Sequence, residues 1–318
     1  MNISVCITTF NEESSIERLL DSLLNQTIKP DEIIIVDGGS KDKTCQIIKH
    51  YQKKDKRIKL LIEPGSIAHG RNISIEIAKG DIITLTDAGC IAKRDWLEKI
   101  THPFIYKNVG LVAGFYEMPA KKEMNEAINV FHGIPPERFD STDFIPSARS
   151  VAFKKQVWSE IGGFDEKLDR AGEDTKFFYE VVKRGVKIVR VKEARVEWEE
   201  IGNLSFKSSL KKLYYYAKGD AQTGIWLHSS KHIVSHNIKI TFILFRYIVG
   251  FILLIVAFKY NWLFSCLIIG LFLYLIWSIW KWRDIIKNWK VKLWLPIIQV
   301  SSDFAVMAGF MSAFLRKK

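Results

Sequence analysis

Apolar positions change period repeatedly along the first ninety residues. Residues 3–8 (ISVCIT) form a short β-rich apolar run, after which Ile16, Leu19, Leu20, Leu23 and Leu24 recur at helical spacing. Residues 32–37 (EIIIVD) are mostly β-branched and predict a strand buried on both faces. A helix starting at Cys45, a short strand over 59–62, a helix over 70–79 and a buried strand over 81–86 follow. This alternation predicts an α/β layer around a parallel sheet, whose ligands bind beyond the carboxyl ends of the strands. Residues 187–191 and 194–196 predict edge strands ending at Trp198. Residues 204–219 (LSFKSSLKKLYYYAKG) set aromatic residues beside lysines, which suits a helix in a membrane interface or an amphipathic helix packed on the head. From Phe242 the pattern becomes continuously apolar over 242–258, 262–280 and 293–315, close to the ~20 residues of helix that a bilayer core requires. The expected division is therefore an α/β domain over 1–225 and a membrane domain over 226–318. The third run contains Pro296, Gln299, Ser301, Ser302 and Asp303, so two or three of the runs span.

A mean hydropathy near zero would suit an ordinary soluble protein, and only the uneven distribution corrects that impression. The 318 residues hold 47 Lys and Arg against 35 Asp and Glu, a net charge of +12. The surplus gathers beside the apolar runs. Lys207, Lys211, Lys212, Lys218, Lys231 and Lys239 precede the first, and Lys281, Arg283, Lys287, Lys290 and Lys292 separate the second from the third. Positive loops stay on the cytosolic side, which predicts a multi-pass protein of the cell membrane with a cytoplasmic head. No signal peptide is expected, because the first apolar stretch is short and runs into strand–helix patterning. The charge lies on no nucleic-acid motif, which argues against that partner. Cys6, Cys45, Cys90 and Cys266 lack CxxC spacing and are expected as reduced, buried, small hydrophobes. Residues 119–144, with Pro135-Pro136, predict a flexible loop near the active site with a solvated His132.

The chemistry collects at the strand ends. Strand one ends in Thr8-Thr9-Phe10-Asn11-Glu12, the second in Asp37-Gly38-Gly39-Ser40, and the strand over 81–86 in Asp87-Ala88-Gly89-Cys90. An aspartate in such a place also serves simply to start a helix. No GxGxxG follows strand one, which excludes the usual dinucleotide fingerprint.

Four segments taken together, TTFNEE (8–13), VDGGSKDKT (36–44), HGRNISIEIAKGDIITLTDAGC (69–90) and AGEDTKFFYEVVKRG (171–185), resemble the family 2 glycosyltransferases in order over residues 1–225. That resemblance implies the GT-A fold, a Rossmann-like mixed sheet, and a nucleotide-diphosphate sugar as donor. It implies Thr8, Phe10, Glu12 and Asp37 around the nucleobase, Arg71 and Asp87 near the nucleotide, and a divalent Mg²⁺ or Mn²⁺ on Asp87. The family's D-x-D is here Asp87-Ala88-Gly89, so the second carboxylate is gone. Either Asp87 binds the metal with other oxygens and the phosphates, or Arg71 and lysines neutralise the leaving diphosphate. TDAGC followed by Trp96 marks one branch of the family.

Glu173 and Asp174 open an amphipathic helix, where acids are favoured by the helix dipole alone. The resemblance implies more: Asp174 as general base and Glu173 as its positioning residue in a single inverting displacement. Residues 145–164 resemble the stretch facing the acceptor, with Arg149 as contact for an acidic acceptor or phosphate. No Q-x-x-R-W motif follows, which favours transfer of a single sugar over polymer synthesis. The membrane segments suit a lipid acceptor: a polyprenyl phosphate, a lipid-linked oligosaccharide or a glycolipid. Two other readings carry different chemistry. A transporter would need intramembrane charges, and only Arg246 and Asp303 are found, read as unpaired. A catalytically inactive nucleotide-sugar-binding scaffold would keep the fold without the turnover.

Overall fold

Glu32–Asp37 (β2) is buried along its whole length because it lies inside a sheet, between Ile3–Thr9 (β1) and Ile58–Ile62 (β3), parallel to both. The computed structural model describes residues 1–168, 170–199, 201–226 and 235–315; Lys231 and the terminal Arg316, Lys317 and Lys318 lie outside them. The chain forms two compact units, the first built from Met1–Pro119 and Arg138–Glu200.

In the first unit the sheet continues from β1 to Ile82–Leu85 (β4), also parallel, and then changes sense. Cys90–Ala92 (β5) and Leu111–Glu117 (β6) come next in the chain, followed by Val151–Lys154 (β7) and Ile188–Trp198 (β8). The spatial order is β3-β2-β1-β4-β7-β6-β8-β5, with β7 antiparallel to both β4 and β6. The expected parallel sheet thus covers one half of a mixed one. β8 is not an edge element: it pairs with β6 on one side and β5 on the other, with a register shift between Ala113 and Phe115.

The helices follow the apolar spacing. Ile16–Leu24 (α1) buries Ile16, Leu19, Leu20 and Leu23 completely, each worth about 1.5–3 kcal/mol when removed from water. Thr44–Lys54 (α2), Ile67–Ile77 (α3) and Trp96–Thr101 (α4) complete the first half of the unit. Because the chain leaves β1 for β2 on one side and later returns to β4 on the other, a crevice opens beyond the carboxyl ends of β1 and β4. This is the switch point where open α/β sheets receive ligands.

The second unit comprises the described residues of Ala120–Glu137, Ile201–His228 and Val234–Lys318. It contains Glu123–His132 (α5), which replaces the expected loop: Met124, Ala127, Ile128 and Phe131 form a helical stripe packed with Val291, Leu295 and Ile298. His132 is buried, not solvated, with Nε2 2.8 Å from Ser209 Oγ. Numbering in chain order, Lys155–Ile161 (α6) and Glu173–Lys183 (α7) belong to the first unit. Phe206–Thr223 (α8), His236–Ala257 (α9), Trp262–Trp280 (α10) and Trp289–Leu315 (α11) belong to the second. The amphipathic stretch at 204–219 thus becomes α8, which packs along α11. At Gly309 a Cβ would lie 2.1 Å from the Tyr214 carbonyl oxygen, so only glycine allows these backbones to approach so closely.

Helices α9, α10 and α11, of 22, 19 and 27 residues, are each long and apolar enough to cross a bilayer. Arg246 and Asp303 are paired, contrary to expectation. Nη2 of Arg246 lies 2.7 Å from Oδ2 of a buried Asp303, which also accepts hydrogen bonds from Tyr247, Tyr274 and Gln299. Three helices contribute to this cluster, a spacing that local sequence cannot register. Cys6 and Cys90 are buried as expected, whereas Cys266 is exposed on α10.

Candidate active site

The first strand ends are fastened to each other. Thr9 Oγ1 donates to Asp37 Oδ2 at 2.9 Å, the Gly38 amide donates to the Thr9 carbonyl at 2.8 Å, and the Asn11 amide donates to Ser40 Oγ at 2.7 Å. Asn11 adopts φ 56°, a left-handed conformation that asparagine tolerates. Asp37 Oδ1 accepts from the amides of Gly39 and Ser40, and Oδ2 also accepts from Ser40 Oγ. Four donors fill the roughly four acceptor positions of a carboxylate. Burial raises the Asp37 proton affinity, but the hydrogen bonds from Ser40 and Thr9 more than offset this and hold the group below the usual carboxylate range.

Beside this knot, Phe10 is 58% exposed and Glu12 accepts from Ser15 Oγ while its amide donates to Thr44 Oγ1. Thr8 faces α3. A Cβ at Gly70 would lie 2.9 Å from Thr8 Cγ2, which accounts for glycine in the position before Arg71. Of the expected base-side residues, Thr8 is therefore a neighbour of the residue that precedes Arg71.

Arg71 is the centre of the second cluster. Its buried guanidinium donates through Nη2 to Asp87 Oδ1 at 2.9 Å and through Nη1 to Glu173 Oε1 at 2.5 Å. Asp87 follows β4, whereas Glu173 and Asp174 occupy the first turn of α7, so residues 102 positions apart share one ion-pair bridge. Gly172, with φ 92°, turns the chain into that helix. Burial alone would lower the Arg71 proton affinity; Asp87, Glu173 and Asp174 together raise it. Burial pushes the Glu173 carboxyl above its ordinary value, Arg71 opposes this and Asp174 adds to it, and Glu173 Oε2 is buried without a hydrogen-bond partner.

That raised proton affinity has a sign for stability. The native state holds a proton on Glu173 where the unfolded chain releases it, so the contribution is complete below pH 4.5 and is lost as pH rises through the raised value. Glu173→Gln, which cannot ionise, should therefore gain in unfolding midpoint over wild type as pH climbs from 4 towards 8. Parallel denaturation curves across that range would contradict it.

Arg149, expected to contact the acceptor, lies beside Asp87. Its Nε lies 3.8 Å from Asp87 Oδ2, and its guanidinium carbon sits 3.7 Å from the Trp198 ring centroid and 5.1 Å from that of Tyr116. Trp198 and Tyr116 were not among the expected site residues; only the position of Trp198 at a strand end hinted at it. Nor was Asn72, whose side chain ties α3 to the 162–166 loop. It donates to the Phe164 carbonyl and Glu166, and accepts from the Phe164 amide and Trp158 Nε1. Phe164 in turn lies under the Arg71 guanidinium.

Among the described residues no group of three His, Cys, Asp or Glu could by itself hold a metal ion. Magnesium-type ions bound through one or two carboxylates and substrate phosphates need no such cage. Asp87, with its side chain 30% exposed, fits that role. Its Oδ1 accepts from Arg71 Nη2, and its Oδ2 faces Arg149 Nε at 3.8 Å.

An open α/β sheet with arginines and carboxylates gathered beyond its switch point has the form of a nucleotide-sugar transferase domain. Comparison with known proteins shows what it is similar to. Residues 4–147 match the model of glycosyl transferase family 2. An uncharacterized glycosyltransferase of Haemophilus influenzae is 35% identical over 116 residues, covering 36% of this chain and 46% of that protein. The uncharacterized glycosyltransferase EpsJ of Bacillus subtilis is 28% identical over 166 residues, 49% of this chain and 46% of the relative. The chain thus spans less than half the length of these curated relatives. Among solved structures, the mannosyltransferase PcManGT from Pyrobaculum calidifontis, in complex with GDP-Man and Mn²⁺, superposes with TM-score 0.63 at 16% identity. That match covers 100% of this chain and 88% of the other. The first unit has the GT-A fold, most of the residues that match the family 2 glycosyltransferase model lie in it, and the second unit includes three helices able to cross a membrane.

Proposed function

We propose that the protein transfers a single sugar from a nucleotide-diphosphate sugar to a membrane-associated acceptor (a polyprenyl phosphate, a lipid-linked oligosaccharide or a glycolipid) with inversion at the anomeric carbon. The observation that carries this reading is the buried Arg71 bridging Asp87 to Glu173, which fixes the diphosphate side of the crevice relative to the first turn of α7. Thr8, Phe10 and Glu12 border the nucleobase, with the exposed Phe10 ring as a stacking surface; Asp37 shapes that border by holding the 38–40 loop. Asp174 takes the proton from the acceptor hydroxyl as its oxygen bonds to the anomeric carbon. The bond from that carbon to the diphosphate breaks on the opposite face, and its electron pair leaves with the phosphate. Glu173 orients Asp174 and Arg71. A Mg²⁺ or Mn²⁺ on Asp87 would supply added charge neutralisation for the diphosphate.

The lysines preceding α9 and α11 support a transferase unit on the cytosolic side of the membrane in this reading, since positive loops stay on that side. A lipid acceptor follows from that anchoring, since a soluble acceptor would need none. The absent carboxylate at Gly89 keeps one competitor, an inactive scaffold that binds donor without turnover.

The test is a panel of UDP- and GDP-sugars with the full chain in lipid, recording nucleotide release with and without Mg²⁺ or Mn²⁺. Release with one donor, lost in Asp87→Asn, supports the transferase. Donor binding with no release under any metal would favour the scaffold.

A further inference from the structure

Inside a bilayer an arginine needs acceptors that hydrocarbon does not supply. Arg246 has them for only part of its guanidinium. Its Nη2 donates to Asp303 Oδ2 at 2.7 Å and to the Tyr274 hydroxyl at 3.0 Å, and the guanidinium carbon lies 4.2 Å from the Tyr274 ring centroid. Nη1 and Nε form no hydrogen bond among the described residues. The side chain is 42% exposed, against 2% for Asp303. We propose that Arg246 binds the phosphodiester of an anionic phospholipid in the cytosolic leaflet; this rests on the membrane reading above and not on the donor or the transfer chemistry.

The carboxylate behind Arg246 is turned inward and saturated. Asp303 Oδ1 accepts from Gln299 Nε2 at 3.0 Å, and Oδ2 accepts from Arg246 and from the hydroxyls of Tyr247 and Tyr274. Four donors fill the acceptor positions of a carboxylate. Asp303 therefore holds the guanidinium from the protein side, and what faces the lipid is a cation with open N–H groups. Its complement is a single negative charge on oxygens that accept charge-assisted hydrogen bonds, as those of a phosphate do.

The depth suits a headgroup. Arg246 lies four residues beyond Phe242, where the apolar run begins, or about 6 Å at 1.5 Å per residue. Helical side chains lean towards the N-terminus, which is the cytosolic end of α9 in the proposed topology. Arginine stems also extend along apolar surface to bring the charge to the interface. A polar ladder runs in from the same side: Lys281, at the C-terminal cap of α10, bonds to Gln299, which lies one turn before Asp303 on α11. A phosphodiester carries one charge. The second charge of a phosphate monoester would fall near the Asp303 carboxylate, which disfavours a polyprenyl phosphate at this position.

Native mass spectrometry of the full chain from dodecyl maltoside micelles tests this, with phosphatidylglycerol, phosphatidylcholine and diacylglycerol of the same acyl chains. Wild type should hold phosphatidylglycerol most tightly, phosphatidylcholine less and diacylglycerol least. Removing Arg246 alone would strand Asp303, so the informative pair is Asp303→Asn against Asp303→Asn with Arg246→Met, which differ only in the cation. Asp303→Asn should hold phosphatidylglycerol at least as tightly as wild type. The double variant should lose about tenfold or more in affinity, the size of one charge-assisted hydrogen bond, with diacylglycerol binding unchanged as the check on its fold. Arg246→Lys, whose ammonium is occupied by Asp303, should fall between. Equal affinity of wild type for phosphatidylglycerol and diacylglycerol, or wild-type affinity in both Arg246 variants, would overturn the assignment. So would one-for-one displacement of phosphatidylglycerol by a lower concentration of a polyprenyl phosphate. Flotation of wild type with phosphatidylglycerol vesicles keeps the two readings apart: a chain left in the aqueous fraction refutes membrane insertion itself, and this inference with it.

Discussion

Asp174→Asn should lower sugar transfer by about 10²–10⁴-fold, the usual worth of a general base, with donor affinity unchanged. The substitution keeps the size of the side chain and its one local bond, because Oδ1 of Asp174 accepts from the Thr175 amide at 2.8 Å and an asparagine oxygen does the same. Losing a charge in the first turn of α7 costs about 0.3–1 kcal/mol of helix stability, too little to mimic so large a rate effect. Single-turnover nucleotide release in lipid, paired with a UDP or GDP binding curve, separates the two quantities. Full activity in the variant would remove the base and point to a lipid phosphate as nucleophile, since a phosphate oxygen needs no deprotonation.

A second large effect should appear in stability. Arg71→Met removes the cation from a buried bridge and leaves a buried Glu173, whose Oε2 is already without a hydrogen-bond partner, beside Asp174 without the cation that faced it. Breaking a buried pair from one side typically costs about 3–5 kcal/mol. The loss should shrink at acid pH, where Glu173 takes up a proton, and Glu173→Gln in the same chain should recover much of it. Denaturation of the single and double variants at pH 5 and pH 8 measures both effects. An Arg71→Met protein as stable as wild type at pH 8 would show that the bridge contributes nothing.

Much of this was legible in residue order, and for local reasons. The period of Ile16, Leu19, Leu20 and Leu23 needs only one helix and one sheet face to be satisfied, and β2 announces its double burial through its β-branched run. Arg71, Asp87, Glu173 and Asp174 lie in short recognisable segments. What escaped was pairing at a distance. The stack of Arg149 on Trp198 joins positions that no local pattern links, and the Arg246–Asp303 pair spans 57 residues. Helix α5 escaped because its four-residue apolar stripe is short and sits beside lysines and Pro135-Pro136, which read as loop. β8 looked like two edge pieces because its residues over 188–193 are only partly buried, yet it pairs on both sides.

The ion pair between α9 and α11 also bears on how the chain is made. An arginine at the middle of a membrane helix costs roughly 2.5–3.5 kcal/mol on insertion scales. In the proposed topology α9 leaves the ribosome first, and Arg246 then has no carboxylate within reach until Asp303 has been synthesised. The first helix should therefore linger in the insertion machinery, or at its lipid boundary, until the third arrives. On that view α11 is a chaperone in cis for α9, and a chain ending after α10 would be retained and degraded even though two complete apolar helices had been produced.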